Sequence, residues 1–193
     1  MNSNLVRIAV QKNGRLSEQS ISLFKECGLS LNTSVGNKLT ARARNFPVEL
    51  LFLRDDDIPG YVADGVADAG VVGLNVVEEK TPDLEIKERL GFAFCRLSLA
   101  VPSSASYNGI KDLDGTRVAT SYPKTLGRYL DKHGIKCKIQ EISGSVEIAP
   151  GIGLADSICD LVSSGGTLQA NRCLLYTSPS PRDRTRSRMP SSA

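Results

Sequence analysis

The residues with the most chemical content lie between positions 143 and 171, SGSVEIAPGIGLADSICDLVSSGGTLQAN. An aliphatic, strand-like run there leads into SSGGT and then into a helix start. Such a junction presents unpaired backbone N–H groups, hydroxyl donors and the positive end of a helix dipole, which together make a phosphate cradle. Gly165 and Gly166 let the backbone approach an anion closely, and Ser164 and Thr167 can donate hydroxyl hydrogen bonds. Asp156 and Asp160 stand four residues apart, a spacing that puts both on one face of either a strand or a helix, so the pair is expected to converge. Beside a phosphate loop, two carboxylates can accept hydrogen bonds from sugar hydroxyls or hold water around Mg²⁺. The alternative is a surface turn with an N-cap Asp, and spacing alone does not separate the two.

Further candidates sit where strand-like runs end. Lys12, Gly14 and Arg15 follow the first such run, where the carboxyl ends of parallel strands face a ligand crevice; the alternative is a turn of solvated charges. Arg54, with Asp55 and Asp56, ends another run and Asp68 opens the next. Their neutral reading is helix capping and a surface ion pair worth at most about 1 kcal/mol. Ser121 and Tyr122 lie between TRVAT and a helix beginning near Pro123, as a second anion site or as a cap. Glu147 is a possible further oxygen donor to Mg²⁺ or a solvated side chain. The single His133 belongs to the polar turn DKHGI near a helix C-terminus, where an imidazolium is favourable.

Positioning these groups requires a scaffold, and the first 173 residues alternate β-branched runs with helical patterns, as in a mainly parallel sheet covered by helices. The class is α/β. Strands are expected at VRIAV, KLTARA, VELLFL, ADAGVVG, LSLAV, TRVAT, CKIQEI and ADSICDLV. A helix from Ser17 to Cys27 has Ser17 as N-cap and Gly28 as its stop. A second begins with Asp57 as cap and Pro59 in the first turn, and buries Ile58, Val62 and Val66 along one stripe. GVADAGVVG (65–73) faintly echoes GLADSICDL (153–161), as two lobes built alike would do.

Composition narrows the classes. Hydrophobic residues make up 40% of the 193-residue chain, enough for a core, while aromatics at 5% and the absence of Trp argue against base-stacking platforms. Arg182, Arg184, Arg186 and Arg188 against Asp183 account for the whole net charge of +3, so residues 1–173 are neutral and offer no nucleic-acid footprint. Five scattered cysteines with one His argue against a disulfide framework and a structural zinc site. Without an apolar spanning run or a signal-peptide layout, a cytoplasmic protein without a membrane partner is expected. From Cys173 onward Ser, Pro and Arg dominate; residues 174–193 are read as a disordered, non-native tail that resembles translated cloning sequence.

The stretch GSVEIAPGIGLADSICDLVSSGGTLQAN resembles the signature of the ATP phosphoribosyltransferases, and QKNGRLS, RDDDIPGYVADGVADAGVVG, CRLSLAVP and GTRVATSYPKTLGRYLDKHGI resemble family segments in the same order. The resemblance covers about residues 5–171 and is closest to the long form. It implies a two-lobed fold like that of periplasmic binding proteins, with a cleft between a first lobe (1–95, the ATP side) and a second (96–173, the phosphoribosyl pyrophosphate side). It also implies Mg²⁺ dependence and homo-oligomers built from dimers. The segment matching 156–168 becomes the phosphoribosyl pyrophosphate loop, with Ser163, Ser164, Gly165, Gly166, Thr167 and Leu168 as contacts. Asp156 and Asp160 become catalytic, and Glu147 with Asp156 the metal side. Lys12, Gly14, Arg15, Arg54, Asp68, Ser121 and Tyr122 fall to ATP. In the implied reaction adenine N1 attacks C1 of the ribose and pyrophosphate departs.

Two departures stand out. Ser164 occupies a position where Thr is common, and Arg172 one where Gly is common, after which the resemblance is lost. Ser164 keeps the hydroxyl and is expected to be tolerated, whereas the break after Arg172 leads to the expectation that this chain binds its substrates poorly and is insensitive to histidine. A non-catalytic anion-binding module of the same fold is the competing class, and a phosphoribosyltransferase acting on another nucleophile is the third.

Overall fold

A computed structural model describes residues 5–31, 39–80, 83–163 and 165–177. Ser164, Lys38 and the tail from position 178 lie outside the described residues. The chain divides into two compact units, Met1–Phe94 and Cys95–Ala193.

Unit 1 is a four-stranded sheet of β1 (Val6–Gln11), β2 (Thr40–Arg42), β3 (Val48–Leu53) and β4 (Ala69–Val71) in the order β2-β3-β1-β4. β1 runs parallel to both β3 and β4, and β2 pairs antiparallel to β3. Helix α1 (Arg15–Glu26) is capped three residues earlier than expected: Gly14, at φ 90°, is its N-cap, and Ser17 is buried inside the first turn. Its other end closes as anticipated. Gly28, at φ 87°, lets its own N–H reach Lys25 O (2.9 Å) and that of Leu29 reach Phe24 O (3.0 Å), a Schellman closure. Helix α2 (Ile58–Ala63) begins after Asp57, with Pro59 in its first turn as expected, but the Asp57 side chain makes no capping bond. The helix also stops before Val66, which is 45% exposed instead of buried. Ile58 is fully buried against Ala9 and Ala67. Gly70 permits this packing, since a Cβ there would lie 2.6 Å from Ile58 Cγ2. Helix α3 (Leu74–Lys80) follows β4.

Unit 2 contains β5 (Arg96–Pro102), β6 (Arg117–Thr120), β7 (Lys138–Glu141), β8 (Ser157–Val162) and β9 (Cys173–Thr177) in the order β7-β6-β8-β5-β9, with α4 (Pro123–His133) and the short α5 (Gly166–Ala170). β6 is parallel to β7 and β8, whereas β5 is antiparallel to both β8 and β9. The sheets are therefore mixed. No hairpin signal links β5 to β8, which are far apart in the chain, so local sequence could not announce their direction.

Successive residues of the central strands belong to opposite layers: Leu99, Val118 and Cys159 pack with Leu126 and Leu130 of α4, whereas Ala100, Ala119 and Ile158 pack with Val146, Ala149 and Leu168. Both faces are covered, which explains the nearly unbroken apolar runs.

β9 corrects the expected boundary of the tail. CLLYT is apolar and β-prone, and backbone pairing along β5 from Pro102↔Cys173 to Leu99↔Thr177 adds it to the sheet, with Cys173 5% exposed. The turn into β9 explains why Gly is common at the position of Arg172, while nothing in the structure explains the Arg itself. Its φ is 56°, in the left-handed region where a Cβ is penalised. Arg172→Gly should therefore raise the stability of unit 2 by about 1 kcal/mol, read as a higher urea midpoint with unchanged slope.

Candidate functional site

Two strand openings share one construction. In unit 1, Asp68 N donates to Arg7 O (2.9 Å), and Arg7 N donates back to Asp68 Oδ2 (2.7 Å). In unit 2, Asp156 N donates to Arg117 O (2.9 Å) and Arg117 N to Asp156 Oδ2 (2.9 Å). Each Asp follows a buried Ala (Ala67, Ala155) and a glycine at positive φ (Gly65, 68°; Gly153, 72°), and immediately precedes its strand. The faint sequence echo is thus a structural repeat. Its second half matches RIAV (7–10) with RVAT (117–120) in the sequence.

This repeat corrects the roles expected of Asp68 and Asp156. Both stand at the amino ends of parallel strands, whereas ligands of such sheets gather at the carboxyl ends. Asp156 is further engaged by the Arg117 guanidinium, Nη2 to Oδ1 at 2.8 Å and Nε to Oδ2 at 3.2 Å, while Arg117 Nη1 donates to Gly153 O at 3.0 Å. The hydrogen bond from the Arg117 side chain, and then that from its backbone, hold the Asp156 carboxyl below its ordinary range. Asp156 and Asp160 do share strand parity, but four residues of strand advance about 13 Å, so they do not converge. A helix would have brought them within reach; a strand separates them.

The other end of β8 carries a pocket of about 70 Å³ lined by Glu147, Asp160, Leu161, Val162, Ser163, Gly165, Thr167 and Leu168. That space is on the order of two water molecules, suited to one small group. Val162 and Leu168, each 5% exposed, anchor the two sides of the loop in the core. Gly165, at φ 78°, makes the reversal between them, and Gly166 starts α5. Because α5 has only five residues, the expected helix dipole is replaced by little more than local backbone N–H groups. Asp160 is pushed above its ordinary carboxyl value, first by burial and then by the nearby Glu147, while the Leu161 N–H (2.7 Å to Oδ1) opposes the shift. Glu147 is presented by a short 3-10 turn, Val146–Ile148, whose two neighbours in the fold, Val146 and Ala149, are buried. Pairing of Glu147 with Asp160, rather than with Asp156, was not legible from spacing.

Two carboxylates in one pocket are the donor chemistry that Mg²⁺ accepts when substrate phosphates supply the remaining oxygens. Among the described residues, no group of three or more His, Cys, Asp or Glu side chains comes together as a metal site.

In unit 1, Lys12, Gly14 and Arg15 follow β1, and exposed Arg54 follows β3. Lys12 N donates to Leu53 O at 2.8 Å, so the carboxyl ends of both strands, with Lys12 and Arg54, lie side by side. The structure gives Ser121 and Tyr122 internal work instead. Ser121 Oγ donates to Ile142 O (2.7 Å), Tyr122 N donates to Thr120 Oγ1 (2.9 Å), and the Tyr122 ring is 8% exposed within the α4 core layer. His133 Nδ1 lies 2.9 Å from Tyr129 O at the end of α4. No helix among the described residues is long and apolar enough to cross a membrane.

Two α/β units, one ending a central strand in a carboxylate-lined glycine loop, define a two-lobed protein of the periplasmic-binding-protein type. The alkanesulfonate-binding protein SsuA of Xanthomonas axonopodis pv. citri shares this fold at a TM-score of 0.55 and 15% identity, over 94% of this chain and 63% of that one. A profile of the ATP phosphoribosyltransferase family matches residues 54–177, and the chain belongs to that family. The match runs through β9, so family character continues past Arg172, where the resemblance had been expected to end. The ATP phosphoribosyltransferase of Cytophaga hutchinsonii is 58% identical over 169 residues, 88% of this chain and 59% of the relative. The chain thus spans somewhat more than half the length of such relatives. The Thermotoga maritima ATP phosphoribosyl transferase (HisG:HisZ) complex contains a chain matched at a TM-score of 0.73 and 29% identity, over 90% of this chain and 82% of that one.

Proposed function

We propose that the protein to which this chain belongs joins adenine N1 of ATP to C1 of phosphoribosyl pyrophosphate, releases pyrophosphate, and so opens histidine biosynthesis. The observation that carries this reading is the pocket at the carboxyl end of β8, where Asp160 and Glu147 meet Ser163, Gly165 and Thr167 in a chain of this family.

The loop after Val162 holds the 5′-phosphate through backbone N–H groups and the hydroxyls of Ser163 and Thr167. Leu168 keeps the loop seated, and Gly165 and Gly166 leave room for the anion. As the C1–oxygen bond lengthens, positive charge grows on the ribosyl ring, and the Asp160 carboxylate beside the loop stabilises it. Burial is what makes that contact strong, since a buried charge is poorly screened by water. Glu147 and Asp160 would hold Mg²⁺, which supplies neutralisation of the pyrophosphate leaving group. Lys12, Arg15 and Arg54, at the carboxyl ends of β1 and β3, bind the triphosphate of ATP, with Gly14 opening the turn between them. Adenine N1 is a neutral nucleophile, so orientation rather than a strong base carries its attack. A homo-oligomer and a cytoplasmic setting complete the reading.

The test is release of pyrophosphate from ATP and phosphoribosyl pyrophosphate with Mg²⁺, using this chain followed by a native family continuation. Release that requires both substrates is the expected result. A protein that binds phosphate or nucleotide without consuming either would be an anion-binding module.

A further inference from the structure

The carboxylate that the pocket leaves out still bears on it. β8 lies between β6 and β5, and all three are buried on both faces: Val118, Ala119, Leu99, Ala100, Ile158 and Cys159 are each fully buried. A strand covered on both sides has no polar face, so apolar alternation, the usual selector of register, is silent here. β8 pairs with β6 over three parallel pairs, from Val118↔Ser157 to Thr120↔Cys159, and with β5 over five antiparallel pairs, from Arg96↔Val162 to Ala100↔Ile158, but backbone ladders repeat and do not by themselves choose which residues pair. A slip of one residue would turn Asp160 to the α4 side of the sheet and carry the loop after Val162 with it.

We propose that Arg117 and Asp156 are positioning residues: their clamp sets the register of β8 and thereby aims Asp160 and the loop after Val162 into the pocket. An exposed ion pair contributes little stability by itself, and both side chains are close to half exposed. The forked geometry matters instead. The Asp156 carboxylate accepts from the Arg117 backbone, Nε and Nη2 together, and the Gly153 carbonyl accepts from Nη1, so only one alignment of the two strand openings satisfies all four bonds. Unit 1 shows the same backbone exchange at Asp68 without the fork, because the Arg7 guanidinium faces Glu49, Nε to Oε2 at 3.6 Å.

The inference rests on the proposed function only where it speaks of substrate, and the chain holds its own reporter of register. Cys159 lies in the central strand β8 with no exposure, and Cys173, 5% exposed in the edge strand β9, provides a buried thiol outside β8 for comparison. This chain followed by a native family continuation, and its Asp156→Ala, Asp156→Asn, Arg117→Lys and Asp68→Ala variants, would be treated with N-ethylmaleimide and mapped by peptide mass. Binding of phosphoribosyl pyrophosphate with Mg²⁺ would be measured by calorimetry on the same samples. Asp156→Ala should speed modification of Cys159 relative to Cys173 and weaken binding, each by about tenfold or more. Asp156→Asn keeps an acceptor for the Arg117 N–H and should recover most of both. Arg117→Lys, which loses the fork alone, should fall between them, and Asp68→Ala should change neither. If Asp156→Ala unfolds the unit, the Asn and Lys variants decide the matter. Equal acceleration at Cys159 and Cys173 with unchanged affinity would show a merely structural pair and overturn the proposal, as would parental behaviour of both variants. Failure of the parent chain to bind phosphoribosyl pyrophosphate counts against the proposed function, while Cys159 still judges the clamp.

Discussion

Asp160→Asn should lower turnover by about a hundredfold to a thousandfold in a protein carrying this chain and a native continuation, with pyrophosphate release as the readout. The side chain sits in the pocket, half-buried beside Glu147, where a charge acts on developing positive charge with little screening. The same substitution should stabilise the ligand-free chain at neutral pH. Burial raises the Asp160 carboxyl above its ordinary value of 3.8, so the folded state binds the proton more tightly than the unfolded state does. Stability is thus fullest below the ordinary value and is lost as pH rises through the higher folded one. Asn carries no such cost. Its advantage in melting temperature over the parent should be present at pH 7 and absent near pH 3, where both side chains are neutral. Opposite signs on activity and stability are expected of a charge kept for chemistry. Parental turnover in this variant would remove Asp160 from the reaction.

Ile158→Ala should destabilise unit 2 by roughly 3–5 kcal/mol, enough to leave much of it unfolded at body temperature. Ile158 is fully buried, and its layer is otherwise built largely of small residues: Ala100, Ala119, Ala149 and Ala155. Alanines cannot reach into the space left behind, so the cavity persists and the cost falls in the upper part of the usual range. Val162 and Leu168, which seat the two sides of the glycine loop between them, share that layer. Phosphoribosyl pyrophosphate binding should therefore weaken even where the variant remains folded. Ile158→Val, which keeps most of the volume, should cost only about 1 kcal/mol. Urea unfolding of both variants provides the check, and equal midpoints for them would contradict this account of the layer.

Much of the scaffold was readable because its signals are local. VELLFL is β3 from end to end, Gly28 ends α1 in a closure that a side chain would strain, and Pro123 opens α4. The loop after Val162 was equally plain as a loop, since its Gly and hydroxyl residues stand between a strand and a helix start. Errors arose wherever a local pattern admitted two geometries. Ser17 looked like a cap, yet Gly14 could turn the chain earlier; CLLYT looked like the start of a tail, yet the edge of β5 was open to it.

By itself, the amino-acid sequence determined the α/β class, the family and the place of the glycine loop after Val162, because each rests on residue type and short spacing. Only the tertiary structure decided which carboxylates meet. Parity along a strand says which face a side chain takes but not which end of the sheet it occupies, and β8 is long enough to leave Asp156 with Arg117 at one end and Asp160 with Glu147 at the other.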